Sequence, residues 1–349
     1  MRLQLGLACL LAWSGVAHAD DTVELRGQYY KERSTTVIQP TADIEKDIGA
    51  SATLGAHFVI DSISAASPAA GQTARFTERR YEAGLRALRR FGDAFTVSVG
   101  GRYSSEPDYV SSSINAGLAV DLLDKNATFS VASALAFDTV TSSIPADGFQ
   151  DKLRTSYFGL SWTQVLGPRA LAQVGYDLLA ADGFQANHYR SVAAAGMVVS
   201  EEVPELRLRN ALFANARWFE AASEVTVQAG YRLYFDDWGV VGHTPEIALT
   251  RDFGAHLELR ARYRYYTQSA ADFYQEIYDR VETFRTDDAK LSPFDGHTIG
   301  VRATLRLGFL GGALKRFAEG EVSALYDRII QHNRFGTANQ LAVALVLPY

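Results

Sequence analysis

The chain has 349 residues, a formal net charge of −6 and a single cysteine, Cys9, near its start. A negative chain disfavours a nucleic-acid partner, because phosphate neutralisation requires a basic surface. If the first segment is removed, the mature chain has no cysteine, which excludes disulfides, cysteine-ligated zinc and covalent c-type haem. An apolar content of 47% suits one or two soluble domains or one large barrel.

The first segment, residues 1–19, has the pattern of a secretory signal peptide. Arg2 precedes an apolar run over residues 3–13, and a small-x-small cleavage site stands at 17–19. That run is too short to span a bilayer, and no later stretch approaches the roughly 18 consecutive apolar residues of a membrane helix. We therefore expect export without a helical anchor and one domain over residues 20–349.

Segments of alternating apolar and polar residues recur from residue 21 to the end, and no convincing helical period interrupts them. Their lengths suit strands tilted across a hydrocarbon layer, which take about 9 to 11 residues, whereas strands in soluble sheets average about 5 to 6. The pattern predicts about 16 strands, with 14 and 18 as alternatives, at 21–33, 36–47, 51–63, 77–91, 94–104, 109–122, 127–139, 152–166, 169–181, 206–219, 224–235, 243–252, 256–268, 296–309, 316–328 and 337–349.

The predicted connections alternate in kind. One set is short throughout, and the other includes long segments at 64–76, 140–151, 182–205 and 269–295. This sorting is typical of outer-membrane barrels, which have short periplasmic turns and long extracellular loops. A further strand-like segment at 188–200 is assigned to the third long loop, because single-chain barrels have even strand numbers.

The two faces of the predicted strands differ in polarity. In the stretch that starts at Leu257, Leu259 and Tyr263 lie on one face, and Arg260 and Arg262 lie on the other. Apolar faces recur along the chain, and a continuous apolar band belongs against lipid. Open strand edges are not tolerated in hydrocarbon, so the sheet must close and its arginines must face the lumen. The sequence predicts an all-β, transmembrane, antiparallel up-and-down barrel.

Aromatic residues concentrate toward the strand ends, as in interfacial girdles. The predicted girdles are Phe91, Phe95, Trp162, Trp218, Phe253, Phe309 and Phe317 near the turns, and Tyr29, Tyr103, Tyr109, Phe137, Tyr231, Phe235 and Trp238 near the loops. Tyr349 ends an alternating apolar strand and resembles the C-terminal signal of barrel assembly. We therefore expect barrel-assembly machinery and outer-membrane lipid as partners.

Several motifs together resemble a bacterial outer-membrane family known as a domain of unknown function, family 3570. They are DSISAASP at 61–68, YSSEPDYVSSSINAGLA at 103–119, TQVL at 163–166, YRLYFDDWGVVGHT at 231–244 and RYYTQSAADFY at 264–274. Ser64 and Ala65 depart from the Thr-Gly that is usual in the first motif. The resemblance implies a barrel, no settled activity, and a weak link to redox partners.

Arginines on the predicted inner faces are the clearest candidate site. Nine fall within a run of five consecutive predicted strands between 206 and 309, on all of them except the strand at 243–252: Arg207, Arg209, Arg217, Arg232, Arg260, Arg262, Arg264, Arg302 and Arg306. Acids are expected on the flanking strands: Asp177, Glu319, Glu321 and Asp327. Two interpretations remain open. The arrangement selects anions through a transverse field, or the arginines and carboxylates pair and close the lumen.

Other polar residues give weaker signals. The pairs Asp236-Asp237 and Asp287-Asp288 suit calcium only by residue type, because they lack a recognisable ligand spacing, and solvated loops explain them better. His243 lies near Asp236 in sequence, which is the one hint of a hydrolase at the rim. No histidine pair with metal-binding spacing stands out. We therefore expect neither an enzyme nor a cofactor or metal site.

These features lead to two main hypotheses. The first is a porin-like conduit for small polar or anionic solutes in the outer membrane, gated by the long loops. The second is a non-conducting scaffold or export partner of a periplasmic or surface system, in line with the redox hint. A rim hydrolase is the third.

Overall fold

A computed structural model describes residues 21–33, 35–66, 75–143 and 148–349. The predicted signal peptide lies outside the described residues. Within the described part of the chain, no helix has the length and apolarity needed to cross a membrane. Sixteen strands form one closed antiparallel barrel, and a separate hairpin of two short strands lies in a loop.

The sequence-predicted barrel of 16 strands is confirmed. Closure comes from the first and last barrel strands, where Thr22 lies opposite Pro348 and Lys31 opposite Asn339. The strands are β1 (Thr22–Lys31), β2 (Thr35–Ile48), β3 (Ala52–Ala66), β4 (Arg75–Phe91), β5 (Phe95–Glu106), β6 (Tyr109–Leu122), β7 (Ala127–Thr141), β8 (Gln150–Gly167), β9 (Ala170–Gly183), the hairpin β10 (Ser191–Ala194) and β11 (Met197–Ser200), β12 (Leu206–Glu220), β13 (Val225–Asp236), β14 (Val241–Phe253), β15 (Leu257–Gln268), β16 (Phe294–Arg306), β17 (Glu321–Gln331) and β18 (Thr337–Pro348).

One predicted boundary is wrong. The strand expected over 316–328 begins at Glu321, because a short 3-10 helix, Gly312–Phe317, occupies the connection before it. The residues between β16 and β17 thus form the longest connection on the short-turn rim. The segment 188–200, which was assigned to a loop, contains the hairpin β10–β11 and does not join the barrel.

The outer surface of the barrel is apolar. Large side chains at alternating positions, among them Leu85, Ile114 and Val343, are exposed on the outside, with Leu85 at 71% exposure. Their neighbours in sequence on the same strands face the interior. Because apolar side chains on a closed sheet are favourable only against hydrocarbon, the barrel has the lipid-facing band of a membrane-spanning protein.

Most of the predicted girdle residues are exposed at strand ends on this outer surface, including Phe91, Trp218 and Tyr103. Two of these predictions are wrong. Tyr109 faces inward, and its hydroxyl donates a hydrogen bond to Asp138 at 2.5 Å. Trp238 is buried in a loop cluster at 4% exposure. Tyr109 begins β6 and Trp238 lies in the turn between β13 and β14, where position along the chain does not distinguish a girdle from an inward-facing or loop-core residue.

The two longest extracellular connections, residues 184–205 and 269–293, pack against each other, and we call them the loop canopy. Short bridges join them, pairing Ala194 with Tyr278 and Glu202 with Arg285. Tyr278 is almost fully buried and its hydroxyl donates to the carbonyl oxygen of Phe273 at 2.6 Å. The canopy is therefore an ordered unit with its own hydrogen bonds.

An apolar cluster anchors the canopy to the barrel. Trp238, from the β13–β14 turn, packs with Val203 of one canopy loop and with Ala271 and Leu291 of the other. Gly239 adopts φ +84, and a Cβ there would collide with the Asp272 carboxylate. The turn that presents Trp238 therefore requires glycine at this position.

A buried ion-pair group holds the two canopy loops together. The Arg190 guanidinium lies 2.9 Å from Glu201 and 2.7 Å from Asp288. Burial alone would raise the pKa of the Asp288 carboxyl, but the cations of Arg190 and Lys290 outweigh burial and hold that pKa below its usual value. Asp288 therefore stays ionised at neutral pH and keeps this pair intact.

The canopy covers one half of the extracellular rim. At one end, the Tyr189 hydroxyl accepts a hydrogen bond from the backbone N–H of Ser143, in the β7–β8 connection, at 2.6 Å. At the other end, Arg334, in the β17–β18 connection, lies 3.1 Å from Asp287. In the strand order these two connections are eight strands apart, on opposite sides of the barrel.

Replacing Val343 by arginine tests the lipid-facing surface. We expect Val343→Arg to lower the free energy of unfolding by about 2–4 kcal/mol, because the charge enters the hydrocarbon near the middle of β18. Ala342→Arg, on the opposite face beside Gln28 and Leu325, is the matched control and should cost much less. Urea unfolding in phospholipid vesicles measures both, and equal costs would contradict the assignment of faces.

Removing Arg190 tests the canopy. We expect Arg190→Ala to leave the buried carboxylates of Glu201 and Asp288 unpaired, a loss of about 3–5 kcal/mol locally, and hydrogen exchange should accelerate in both canopy loops. Arg280→Ala removes an exposed pair with Glu282 within the second canopy loop, 269–293. This variant should leave exchange unchanged. Equal protection in both variants would mean that the Arg190 pairs do not hold the loops together.

Candidate functional site

The inner faces of β12, β13, β15 and β16 carry the nine predicted arginines, and we call the inner surface of β12 to β16 the arginine wall. Antiparallel pairing places these side chains in register, so that Arg260 of β15 lies opposite Arg302 of β16. Acids on the inner faces of the same five strands are fewer: Asp236, Glu246, Asp252 and Glu258. Cations therefore exceed carboxylates along this part of the lumen.

Three arginines of the wall form close ion pairs. Arg207 lies 2.5 Å from Asp236, and Arg262 lies 2.6 Å from Asp327. Arg232 lies 2.7 Å from Asp177. The last two pairs each reach across an intervening strand, which requires long side chains on the concave side of the sheet. Arg262 and Arg232 therefore point into the lumen.

A glycine makes room for one of these bridges. Gly300 stands on β16 between Arg262 and Asp327, and a Cβ at Gly300 would collide with the Asp327 carboxylate. Asp327 is 2% exposed, so its charge is buried against the wall. A buried carboxylate of this kind is tolerated only when it is paired, and the glycine permits that pairing.

Three further arginines contact acids nearer the periplasmic half, at distances from 2.8 to 3.9 Å. Arg302 lies 3.2 Å from Glu258. Arg306 lies 2.8 Å from Asp252. Arg260 approaches Glu246 only to 3.9 Å, beyond hydrogen-bond distance.

The remaining arginines of the wall, Arg209, Arg217 and Arg264, have no carboxylate oxygen within 4.0 Å among the described residues. The Arg209 Nε is buried and has no hydrogen-bond partner there. Arg217 is exposed to the lumen near the periplasmic end of β12. These three guanidinium groups add positive charge to this side of the lumen without a carboxylate beside them.

The predicted acids have different outcomes. Asp177 and Asp327 lie on the inner face and pair with arginines of the wall, as expected. Glu321 begins β17 on the inner face, opposite Arg306 in register. The placement of Glu319 on a strand is wrong, because Glu319 lies exposed in the turn that follows the 3-10 helix.

A second charged network lies on the inner faces of β2 to β5, which sequence analysis did not identify. His57 lies 2.5 Å from Asp43 and 3.6 Å from Glu82. Arg80 lies 2.7 Å from Asp61, and Arg102 lies 3.5 Å from Glu82. Arginine density singled out β12 to β16, whereas in this network acids and bases are mixed within strands and no single stretch stands out.

The two groups face each other across the lumen. In the strand order, β2 to β5 lie eight positions away from β12 to β15. The network on β2 to β5 combines arginines and a histidine with nearby carboxylates, whereas the arginine wall has an excess of cations. The lumen is thus electrostatically asymmetric, with its uncompensated positive charge on the side that the canopy covers.

The structure does not bring together the residues of the suggested hydrolase. His243 faces outward, where its Nδ1 lies 2.6 Å from the Tyr231 hydroxyl. Asp236 points into the lumen and bonds to Arg207. The strand alternation that separates them is a property of the sheet, so proximity in sequence was misleading.

The aspartate pairs considered for calcium have protein partners. Asp236 pairs with Arg207 and accepts a hydrogen bond from the Val240 N–H. Asp288 pairs with Arg190. The prediction of solvated loops is therefore wrong for Asp236 and Asp288, which pair with arginines, whereas Asp237 is exposed.

Tyr349 follows the end of β18. Its backbone N–H donates to the Asp21 carbonyl oxygen at 3.0 Å, and its ring is exposed. The residue thus contacts the start of the chain where the barrel closes. Its role as an assembly signal remains a prediction.

Solved structures similar to this barrel are outer-membrane proteins. One is a bacterial polysaccharide outer membrane secretin, with a TM-score of 0.56 and 8% identity over 96% of this chain and 100% of that chain. Another is CdiB from Acinetobacter baumannii, with a TM-score of 0.51 and 8% identity over 95% of this chain and 61% of that chain. A weaker similarity, with a TM-score of 0.49 and 10% identity over 96% of this chain and 92% of that chain, links it to OccD3 (OpdP) of Pseudomonas aeruginosa. At these identities the first two establish the fold, which is that of an outer-membrane barrel.

A search of curated protein sequences finds no significant match. A protein-family model described as "Protein of unknown function (DUF3570)" matches residues 70–148 and 145–316. The match covers more than half of the chain and includes the whole arginine wall. The chain therefore belongs to the DUF3570 family of proteins of unknown function.

Proposed function

We propose that this barrel is a porin-like conduit for small polar or anionic solutes, with the arginine wall as its filter. The observation that carries the proposal is the set of three wall arginines, Arg209, Arg217 and Arg264, that no described carboxylate neutralises. Uncompensated cations on a lumen wall attract anions and repel cations. A lumen built only to close on itself would pair its buried charges.

The size of the barrel supports the same proposal. Barrels of 16 to 18 strands generally leave an aqueous channel, whereas barrels of about eight strands are filled by their own side chains. Solutes would pass between the arginine wall and the charge-paired network on β2 to β5. The loop canopy, which lies above the wall, would restrict entry on that side.

The canopy itself favours the second candidate, a non-conducting scaffold or export partner. Its two loops are joined by backbone bridges and by the buried Arg190 pairs with Glu201 and Asp288. An ordered outer surface of this kind suits binding of another protein. Under this alternative the lumen would not conduct ions, and the canopy would be the functional surface.

Single-channel recording in planar bilayers tests the conduit. We expect steady openings and, in a salt gradient, a reversal potential of the sign that reports anion selectivity. Neutralising the unpaired arginines with the triple variant Arg209→Gln, Arg217→Gln and Arg264→Gln should move that potential toward zero, because it removes positive charge from the lumen wall. The change leaves no acid without its ion-pair partner. Single-channel recording of folded wild type and variant measures the shift.

Arg251→Gln is the matched control, because Arg251 lies on β14 of the same half-barrel but on the opposite face from Asp252. It removes one charge without changing the lumen, so selectivity should stay as in the wild type. A silent bilayer from fully folded wild-type protein would refute the conduit. Openings that appear only after residues 185–204 are replaced by a short turn would identify the canopy as a plug and support the scaffold.

A further inference from the structure

A cluster of two histidines and one aspartate lies at the extracellular rim, on the outer face of the barrel and away from the arginine wall. Asp295 and His297 stand at the start of β16, and His332 follows the end of β17. One ligand atom from each residue lies within 4.8 Å of the others. We propose that these three residues bind a divalent transition-metal ion of the zinc type.

The geometry around the carboxylate supports a shared ion. Asp295 Oδ2 lies 2.8 Å from His332 Nδ1 and 3.7 Å from His297 Nε2. Ligand atoms around a tetrahedral zinc ion, with bonds of about 2.0–2.1 Å, are about 3.4 Å apart. The two distances from Asp295 Oδ2 lie on either side of this spacing, so binding an ion would require rotation of side chains and no movement of strands. Such rotations are available, because the three side chains are between 33% and 56% exposed.

The ligand types select the metal. Imidazole nitrogens suit zinc, copper and nickel, whereas calcium and magnesium prefer oxygen ligands. Two imidazoles with one carboxylate leave coordination positions for water, as in sites with three protein ligands. Among the described residues, no lysine or arginine lies within 4.0 Å of Asp295, so its carboxylate does not form an ion pair with either residue type.

An outer contact orients one of the ligands. The Tyr263 hydroxyl lies 2.7 Å from His297 Nδ1. A hydrogen bond from Nδ1–H to this oxygen leaves the lone pair on Nε2, the nitrogen that faces Asp295. Metal-binding histidines are commonly held in this way by a hydrogen bond to their other ring nitrogen.

The chain contains an internal comparison for this arrangement. His243 and Tyr231 form the same contact on the outer face, at 2.6 Å, with ring centroids 6.1 Å apart against 6.0 Å for His297 and Tyr263. His243 has no carboxylate and no second histidine beside it within the described residues. The His297 pair therefore has the neighbouring carboxylate and second histidine that would create a metal site, and the His243 pair does not.

A bound ion would fasten the β17–β18 connection to β16. His332 lies two residues before Arg334, whose guanidinium contacts Asp287 of the canopy. The site thus lies beside one of the attachments of the canopy to the barrel rim. Sequence analysis expected no metal site because His297 and His332 are far apart in the chain, and only the pairing of β16 with β17 brings them together.

Calorimetric titration with Zn²⁺ tests the proposal, on the folded chain in detergent without an affinity tag. We expect one saturable Zn²⁺ site per barrel, lost in His297→Ala and in His332→Ala. Tyr263→Phe should retain the site with an affinity about 10- to 100-fold weaker. His243→Ala is the control and should bind Zn²⁺ as the wild type does.

Each variant is first checked for a folded barrel by its heat-dependent migration in gels. Failure of folded wild type to bind Zn²⁺ saturably would overturn the proposal. So would unchanged binding in His297→Ala and His332→Ala, loss of binding in His243→Ala, or a preference of the site for Ca²⁺ over Zn²⁺. None of these outcomes depends on whether the barrel conducts ions.

Discussion

Backbone hydrogen bonding in hydrocarbon is the constraint on which the rest of this structure depends. A strand in the bilayer has no water to satisfy its N–H and C=O groups, so every strand needs two neighbours and the sheet must close. Pairing of β1 with β18 meets this requirement. Closure then fixes an inside and an outside, and the alternation of each strand sends apolar residues to lipid and charged residues to the lumen.

Because charged side chains face the lumen, the interior of the barrel has a specific electrostatic arrangement. Most charges in the lumen pair with one another, as Arg262 does with Asp327 across a strand that has glycine at the crossing point. The inner faces of β2 to β5 carry more carboxylates than arginines, whereas the arginine wall has more cations than carboxylates. Arginine suits such a wall because its planar guanidinium can hold a carboxylate and remain charged at any physiological pH. The proposed filter depends on the cations that remain.

The extracellular rim has a different kind of order. Loops there are not constrained by the bilayer, and their conformation depends on contacts between segments distant in sequence. Trp238 provides an apolar anchor and Arg190 a buried ion-pair centre, so two long loops form one unit. The proposed metal site lies at the edge of the same rim, where the β17–β18 connection meets the strand that precedes it. The proposed filter and the proposed metal site thus lie in different parts of the barrel, one in the charged lumen and the other on the structured surface above it.

The sequence by itself determined the fold class and the face that each strand turns to lipid, because these follow from a period of two residues and from the cost of unpaired backbone in hydrocarbon. It favoured 16 strands over 14 or 18, and the closed sheet confirmed that number. It also placed the nine arginines in the lumen, since they share one face of consecutive strands. Only the tertiary structure decided which of them are neutralised, because the partners of Arg232 and Arg262 lie two strands away. The burial of Trp238, the separation of His243 from Asp236, and the meeting of His297 with His332 were likewise decided by strand pairing and loop packing, which bring together residues that local sequence patterns do not relate.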